Sequence, residues 1–301
     1  MLRSTPGPAG PAPVNRAGRR ALLIGGAAAV AGIGLAAVDG LLQRASPPPG
    51  LVQGVVWQVH GGALDPRGDW DFIGARTLLV QWLAANGTAF VPLPGLGLTL
   101  VPDAPNWTRI AREPWAQSII AGLAGGFSEP EARRDVLALG ALSARIARAR
   151  LPFRPDGFYF PVESDPTWTG VGQMAAALAD IPRPLWVSCY DNSNVGPAAL
   201  ADWVARWLPS DVGLMFQDGV GVHTRTPASA AGYAQVLSAR LGARRFKLIA
   251  EAFRPAVGGG FRPATAAELL PQLKAYAGYE VFVFDGPHYV DRLLVQKLME
   301  G

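Results

Sequence analysis

Eight short apolar runs punctuate the chain from residue 51 onward, and each stops at polar or aromatic residues. They are GVVWQVH (54–60), TLLVQW (77–82), QSIIAGL (117–123), GFYF (157–160), PLWVSCY (184–190), VGLMFQ (212–217), FKLIA (246–250) and EVFVF (280–284). Near-continuous hydrophobicity, in place of strict alternation, predicts strands of a parallel sheet covered on both faces. Helical spacing is legible between most of them. In 129–150, Val136, Leu137, Leu139, Leu142 and Ile146 share one side, with arginines on the other. Ser128, with Glu131 three residues later and Pro130 in the first turn, reads as a capping box. Further helices are expected over 171–179, 197–208, 229–241, 264–276 and 291–300. Strands alternating with helices imply right-handed crossovers and a parallel α/β architecture. The stretch 51–301 has the usual length of a (β/α)8 TIM barrel, about 250 residues. Its first half looks irregular. Segment 61–76 has room only for a short helix around 69–73, and 83–116 is rich in Pro and Gly, with 96–101 a candidate hairpin strand. A doubly wound open sheet is the alternative, weakened because no glycine-rich phosphate loop follows the first strand.

Composition narrows the classes. Half of the 301 residues are hydrophobic, enough for one large core, and 17% are charged. Cys189 stands alone, which excludes an intramolecular disulfide and a cysteine zinc site; it reads as a small buried filler of the fifth strand. The net charge of +4 comes partly from N-terminal arginines, and no compact basic patch with interleaved aromatics points to nucleic acid. Residues 1–20 form a basic region rich in Pro, Gly and Ala, expected to lack order. Arg16, Arg19 and Arg20 precede an apolar run over 21–38, the layout of a signal peptide or an N-terminal membrane anchor, and Arg19-Arg20 resembles a twin-arginine export signal. The arginines would stay in the cytoplasm and the rest of the chain would be exported to the periplasm or beyond. Residues 39–50 serve as a proline-rich linker. With no small-x-small cleavage site just after the run, the cleaved and the anchored forms both stay open.

The C-terminal ends of the eight runs hold Trp57, Gln58 and His60; Gln81 and Trp82; Glu163 and Asp165; Ser188, Tyr190 and Asp191; Gln217, Asp218 and His223; Glu251; and Asp285, His288 and Tyr289. All three histidines fall in this set. The opposite ends carry mostly Pro, Arg and Asp turn residues. In a barrel of this type chemistry sits at the C-terminal rim. Glu163 follows GFYF after Pro161, which lacks an N–H and is expected to end regular pairing. Its plainer reading is a loop acid or a helix cap. Glu251 closes an apolar strand, where a charge is costly unless solvated or paired; its plainer reading is an ion pair with Arg254.

Together, Glu163 after the fourth strand and Glu251 after the seventh resemble the acid/base and nucleophile of the large glycosidase clan built on TIM barrels. Such cleavage needs one carboxylic acid to protonate the leaving oxygen and one carboxylate on the opposite face of the sugar. The set WQ…QW…YFPVESD…VSCYD…FQDGVGVH…AEAF…FDGPHY, spread over most of 51–291, is similar to a bacterial family of uncharacterised, exported, glycosidase-like barrels. The resemblance implies a TIM barrel and carbohydrate-active chemistry. The chain departs from the wider clan where Val162 replaces the Asn that often precedes the acid/base Glu.

Aromatic faces suit sugars, which makes Trp57, Trp82, Trp168, Tyr190 and Tyr289 candidate platforms, although tryptophans in barrels mostly pack the core. Gln58, Gln81, Gln217, Asp218 and His288 are candidate hydroxyl ligands. The leading expectation is a retaining glycoside hydrolase of a bacterial poly- or oligosaccharide, monomeric and without a cofactor, with its carboxyl groups about 5–5.5 Å apart. A non-catalytic carbohydrate-binding barrel, accessory to polysaccharide synthesis or export, is the alternative. A metal-dependent hydrolase using His60, His223 or His288 with Asp218 or Asp285 ranks last: Gln58 occupies the place of a His-x-His and no HExxH is present.

Overall fold

The computed structural model describes residues 50–301. The expectations about the basic region, the apolar run, the linker up to residue 49, export and anchoring therefore lie outside the described residues. Among those described, no helix is long and apolar enough to cross a membrane.

Eight parallel strands close into a barrel. They are β1 (Gly54–Trp57), β2 (Thr77–Val80), β3 (Ser118–Gly122), β4 (Gly157–Ser164), β5 (Leu185–Cys189), β6 (Val212–Gln217), β7 (Phe246–Glu251) and β8 (Val281–Phe284). Each apolar run of the sequence supplies one strand, and β1 pairs with both β2 and β8 to complete the ring. Helices α2 (Glu129–Arg134), α3 (Val136–Ala147), α4 (Met174–Leu178), α5 (Pro197–Trp207), α6 (Pro227–Leu241), α7 (Ala266–Ala275) and α9 (Arg292–Met299) match the expected helical stretches, with α8 (Gly286–Tyr289) added after β8. The first half is irregular. A 3-10 turn at Trp70–Ile73 stands for the first helix. The β2–β3 connection folds into short strands Ala84–Ala85, Thr88–Ala89 and Thr99–Leu100, which form a small sheet with Ala124–Gly125, followed by α1 (Trp107–Ile110).

Two local expectations are corrected. The strand β4 does not end at Pro161 but runs on to Ser164, because the register shifts after Phe160 and pairing resumes at Ser164 opposite Cys189. Proline has no donor for the ladder, so the chain bulges past it and rejoins. The capping box at Ser128 does not form, since the Ser128 side chain makes no cap bond. A capping box stands instead at α7, where Glu268 accepts from Thr265 N at 2.8 Å. The hydrogen bond from Arg262 holds the Glu268 carboxyl down at about 2, with Thr265 assisting against partial burial.

Side-chain alternation along the strands organises the interior. Val56, Leu79, Ile120, Tyr159, Trp186, Met215, Ile249 and Phe282, one from each strand, form a separate cluster that fills the lumen. Residues two positions away face the same way. Two positions toward the N-terminal end stand Gly54 and Gly213, whose added Cβ atoms would lie 2.3 Å from the Phe282 ring and 2.2 Å from the Trp186 ring. Lys247, on the same side, pairs with Glu280 and lies 4.4 Å from the Trp186 ring centroid. The odd neighbours, such as Trp57, Val80 and Leu214, belong to the larger core between barrel and helices.

One buried carboxylate joins three elements in that outer layer. Asp218, just after β6, accepts from Val220 N at 3.1 Å and Glu251 N at 3.2 Å through Oδ1. Its Oδ2 accepts from Gln272 Nε2 on α7 at 2.5 Å and from Tyr276 Oη at 2.8 Å. Burial pushes its pKa up, and the Tyr276, Val220, Glu251 and Gln272 hydrogen bonds oppose that. Every partner is a donor, so the ionised form is the one the surroundings fit.

Replacement of Asp218 by Asn puts an amide N–H₂ against donors and should cost about 1.5–3 kcal/mol of stability, read as a lower denaturant midpoint with unchanged m-value. Gly213→Ala drives a methyl into Trp186 and should cost about 1–3 kcal/mol in the same measurement.

Candidate active site

The residues two positions beyond the lumen cluster, toward the strand C-termini, set the floor of the barrel mouth. Gln58, Gln81, Gln217 and Glu251 follow Val56, Leu79, Met215 and Ile249 in this way, and Phe284 follows Phe282. Glu163 lies four beyond Tyr159 and keeps the same facing. These side chains converge on one cleft of about 520 Å³, open solvent included, lined by Gln58, Gln81, Glu163, Gln217, Val222, Ile249, Glu251, Phe253, Phe261 and Phe284. The two acids, 88 residues apart along the chain (163 to 251), thus line the same space. A groove between the small sheet and α2–α3 is comparably large, about 580 Å³, but carries neither acid.

Both acids are held by their backbones. Glu163 N donates to Glu129 Oε1 at 2.6 Å, and Arg133 Nε donates to Glu163 O at 3.0 Å. One turn of α2 therefore grips both sides of the bulged end of β4. Glu251 N donates to Asp218, while Arg254 Nη1 (3.1 Å) and Gln272 Nε2 (3.3 Å) donate to its carbonyl. Its carboxylate Oε2 accepts from Val222 N at 3.3 Å. Gly221 permits this approach, since a Cβ there would lie 2.6 Å from the Glu251 Cβ. Arg254, weighed as an ion-pair partner, makes its hydrogen bonds to the Glu251, Phe253 and Glu268 carbonyls and to Gln272 Oε1.

Several strand-end residues lie elsewhere. Trp57 and Trp82 have the opposite facing, are fully buried and do not line the cleft. Their indoles donate to Ala63 O at 3.0 Å and Val59 O at 2.7 Å, fixing the loop after β1 from behind. Asp218 is likewise turned outward into the bonds described above and does not line the cleft. Tyr190 is buried, bonds Thr224 Oγ1 at 2.6 Å and lies under the Arg225 guanidinium at 5.2 Å. Trp168 is covered by Arg133 at 5.7 Å. Cys189 is buried, and burial pushes its thiol up. His223 is exposed and lines neither the cleft nor the pocket beside it.

His288 and Tyr289 line an adjoining small pocket together with Gln58, His60, Phe284 and Asp285. Its hydrogen bonds run in one direction. Gly62 N donates to His60 Nδ1 at 3.0 Å, so neutral His60 carries its proton on Nε2. That proton faces His288 Nε2 at 2.6 Å, and His288 Nδ1–H faces Asp285 Oδ2 at 2.6 Å. Gln58 N donates to the same oxygen at 3.1 Å. Burial, then His288, pulls the His60 pKa down. Burial also acts to lower that of His288, but the Asp285 carboxylate reverses it and the net shift is upward. A metal-bound imidazole donates its second ring N–H to a neighbour; His60 accepts there instead. Among the described residues no group of three or more His, Cys, Asp and Glu is placed to hold a metal ion.

The aromatic wall of the cleft was not among the sequence candidates. Phe253, in the strand Phe253–Pro255, meets Phe261, in Phe261–Pro263, edge-on at 4.6 Å, and lies 6.3 Å from Phe284 and 5.2 Å from Tyr289. The two strands form a hairpin turned by Gly258, Gly259 and Gly260, all at positive φ. The signal was present as FRP-AVGGG-FRP, two identical tripeptides around a glycine turn.

Neither a protein-family profile nor a curated protein matches the chain. Two solved structures resemble it. One is a Bacteroides thetaiotaomicron protein described as a "putative alpha-L-fucosidase", with TM-score 0.54 and 15% identity, covering 89% of this chain and 97% of that one. The other is the PgaB (BpsB) glycoside hydrolase domain of Bordetella bronchiseptica, with TM-score 0.45 and 12% identity, covering 78% of this chain and 94% of that one. At such identity the first likeness speaks to fold alone, and the fold it shares is the closed eight-stranded barrel.

Proposed function

We propose that the protein is a glycoside hydrolase acting on a bacterial poly- or oligosaccharide, with Glu163 as acid/base and Glu251 as nucleophile. The observation that carries this reading is the shared cleft: two carboxylates from β4 and β7 line one space at the C-terminal mouth of the barrel. In the mechanism, Glu163 as the acid gives its proton to the glycosidic oxygen while Glu251 attacks the anomeric carbon. Water then releases the sugar, with Glu163 taking a proton from it. Gln58, Gln81 and Gln217 would orient hydroxyls at the floor. Phe253, Phe261 and Phe284 would offer the apolar face of a sugar its platform. The backbone grips on both acids match such a role, because a reacting pair has to be held in place before substrate arrives. Export, expected from residues 1–38, fits a substrate in the cell envelope.

Glu163→Gln and Glu251→Gln should each lower turnover of a cleaved glycoside by at least about 100-fold while circular dichroism and melting stay near wild type. Turnover that persists in either variant refutes the assignment of that residue. If no glycoside in a broad panel is cleaved yet glycan affinity survives both changes, a binding barrel is the better reading. A second measurement addresses stereochemistry: proton NMR of the first-formed sugar should show the anomeric configuration of the substrate, whereas inversion would replace the nucleophile with a base acting through water.

A further inference from the structure

The two histidines of the small pocket can be counted for protons, because each of their four ring nitrogens has a fixed neighbour. His60 Nδ1 accepts from Gly62 N at 3.0 Å, so it carries no proton. His288 Nδ1 lies 2.6 Å from Asp285 Oδ2 and carries one, since an ionised carboxylate only accepts. The two Nε2 atoms stand 2.6 Å apart, with space between them for one proton and not for two. The closed arrangement therefore holds two protons, as many as two neutral imidazoles carry. A third has no place in it. Water nevertheless reaches the pair: His60 is half-buried and the His288 side chain is 30% exposed.

What a third proton displaces follows from the same count. Burial works against charge on His288, but the Asp285 hydrogen bond and charge outweigh it, so the proton goes there. His288 Nε2 then donates to His60 Nε2, and the His60 proton has to sit on Nδ1. There it meets the Gly62 N–H, donor against donor. The Gly62 bond and the third proton thus exclude each other. The charged groups acting on the rings are each other and Asp285. Tyr289, on the same side as Asp285, has its ring 6.1 Å from that of His288, and burial pushes its hydroxyl up. On the β1 side stand the neutral Gln58 and Gly62, while Asp65, farther along that loop, pairs with Arg67 and Arg109. We propose that the His60–His288 pair is a pH-operated latch on the loop after β1: with two protons it holds Gly62, and with a third it lets the loop tip go. The bond needs His288 uncharged, so it is present above the pKa of His288 and lost as pH falls through it. Asp285 holds that point above the ordinary histidine value of about 6.5. Release is confined to the tip, because Ala63 keeps its own bonds, from its N to His60 O at 2.9 Å and from the Trp57 indole to its O at 3.0 Å. The small pocket shares Gln58 and Phe284 with the cleft, so the tip moves at the edge of the cleft.

The test follows the imidazoles, of which the chain has three, and the Gly62 amide. Full-length protein, isotope-labelled in histidine and glycine, is titrated by NMR from about pH 9 to about pH 5, a range that brackets histidine charging. His60 should change from the Nε2–H to the Nδ1–H tautomer while His288 takes up charge. The Gly62 amide proton should move upfield as its bond is lost, with the same midpoint as both rings. His223, exposed elsewhere, should titrate apart from them. Asp285→Asn should lower the shared midpoint by about one pH unit or more, the effect of removing an adjacent opposite charge, and Gly62, bonded to His60, should follow. If that variant folds poorly, His60→Phe gives a second reading: the Gly62 amide should lose its pH response while His288 still titrates. A Gly62 amide unmoved while either ring charges overturns the proposal. So do separate midpoints for the two rings, or rings that stay uncharged because Asp285 takes the proton. The latch does not rest on the glycosidase reading. A protein that cleaves no glycoside can still show it, and its failure leaves the roles of Glu163 and Glu251 untouched.

Discussion

A residue on a strand of a closed barrel faces either the lumen or the helix layer, and residues two apart share a facing. The chemistry of this protein depends on that constraint. Once Val56, Leu79, Tyr159, Trp186, Met215, Ile249 and Phe282 fill the lumen, the next residues up are committed to the mouth. Gln58, Gln81, Gln217, Glu251 and Phe284 reach the cleft by this route alone. Glu163 reaches it because the bulge in β4 spans an even number of residues, from Phe160 to Ser164, and preserves its facing.

The same constraint divides labour at the strand ends. Residues of the other facing become supports. Trp57 and Trp82 hold the loop after β1 through their indole N–H groups. Asp218 gathers the β6 loop, the β7 backbone at Glu251 and the α7 side through Gln272 and Tyr276. Arg225 packs against Tyr190, Phe216 and Tyr233 while donating to the carbonyls of Asp191 and Asp218. A carboxylate, a guanidinium and two indoles, all polar enough to suggest a site, here fix the positions of other groups.

The mouth is chemically asymmetric. Aromatic side chains from the β7 hairpin and β8 make one wall, while glutamines and two acids make the floor. A sugar ring has the same asymmetry, apolar on its C–H face and rich in hydroxyls at its edge. Beside it, the chain of hydrogen bonds from Gly62 through His60 and His288 to Asp285 ties the loop after β1 to the end of β8. The seam where the barrel closes is thus also the wall of the small pocket.

The sequence by itself determined the eight strands, most of the helices and the irregular first half, because buried parallel strands must be apolar throughout and helices must show their period. It also placed Glu163 and Glu251 at the right end of the barrel. The facing of each residue was not legible in the same way: a strand buried on both sides has no polar alternation to reveal which side is the lumen, so Trp57, Trp82 and Asp218 looked equivalent to Gln58, Gln81 and Gln217. Only closure of the sheet, which sets one side against the other strands and one against the helices, decided that. Tertiary structure likewise gave Glu129, the first residue of α2, a grip on Glu163, and brought Phe253 and Phe261 over the mouth, since both depend on contacts between segments far apart in the chain.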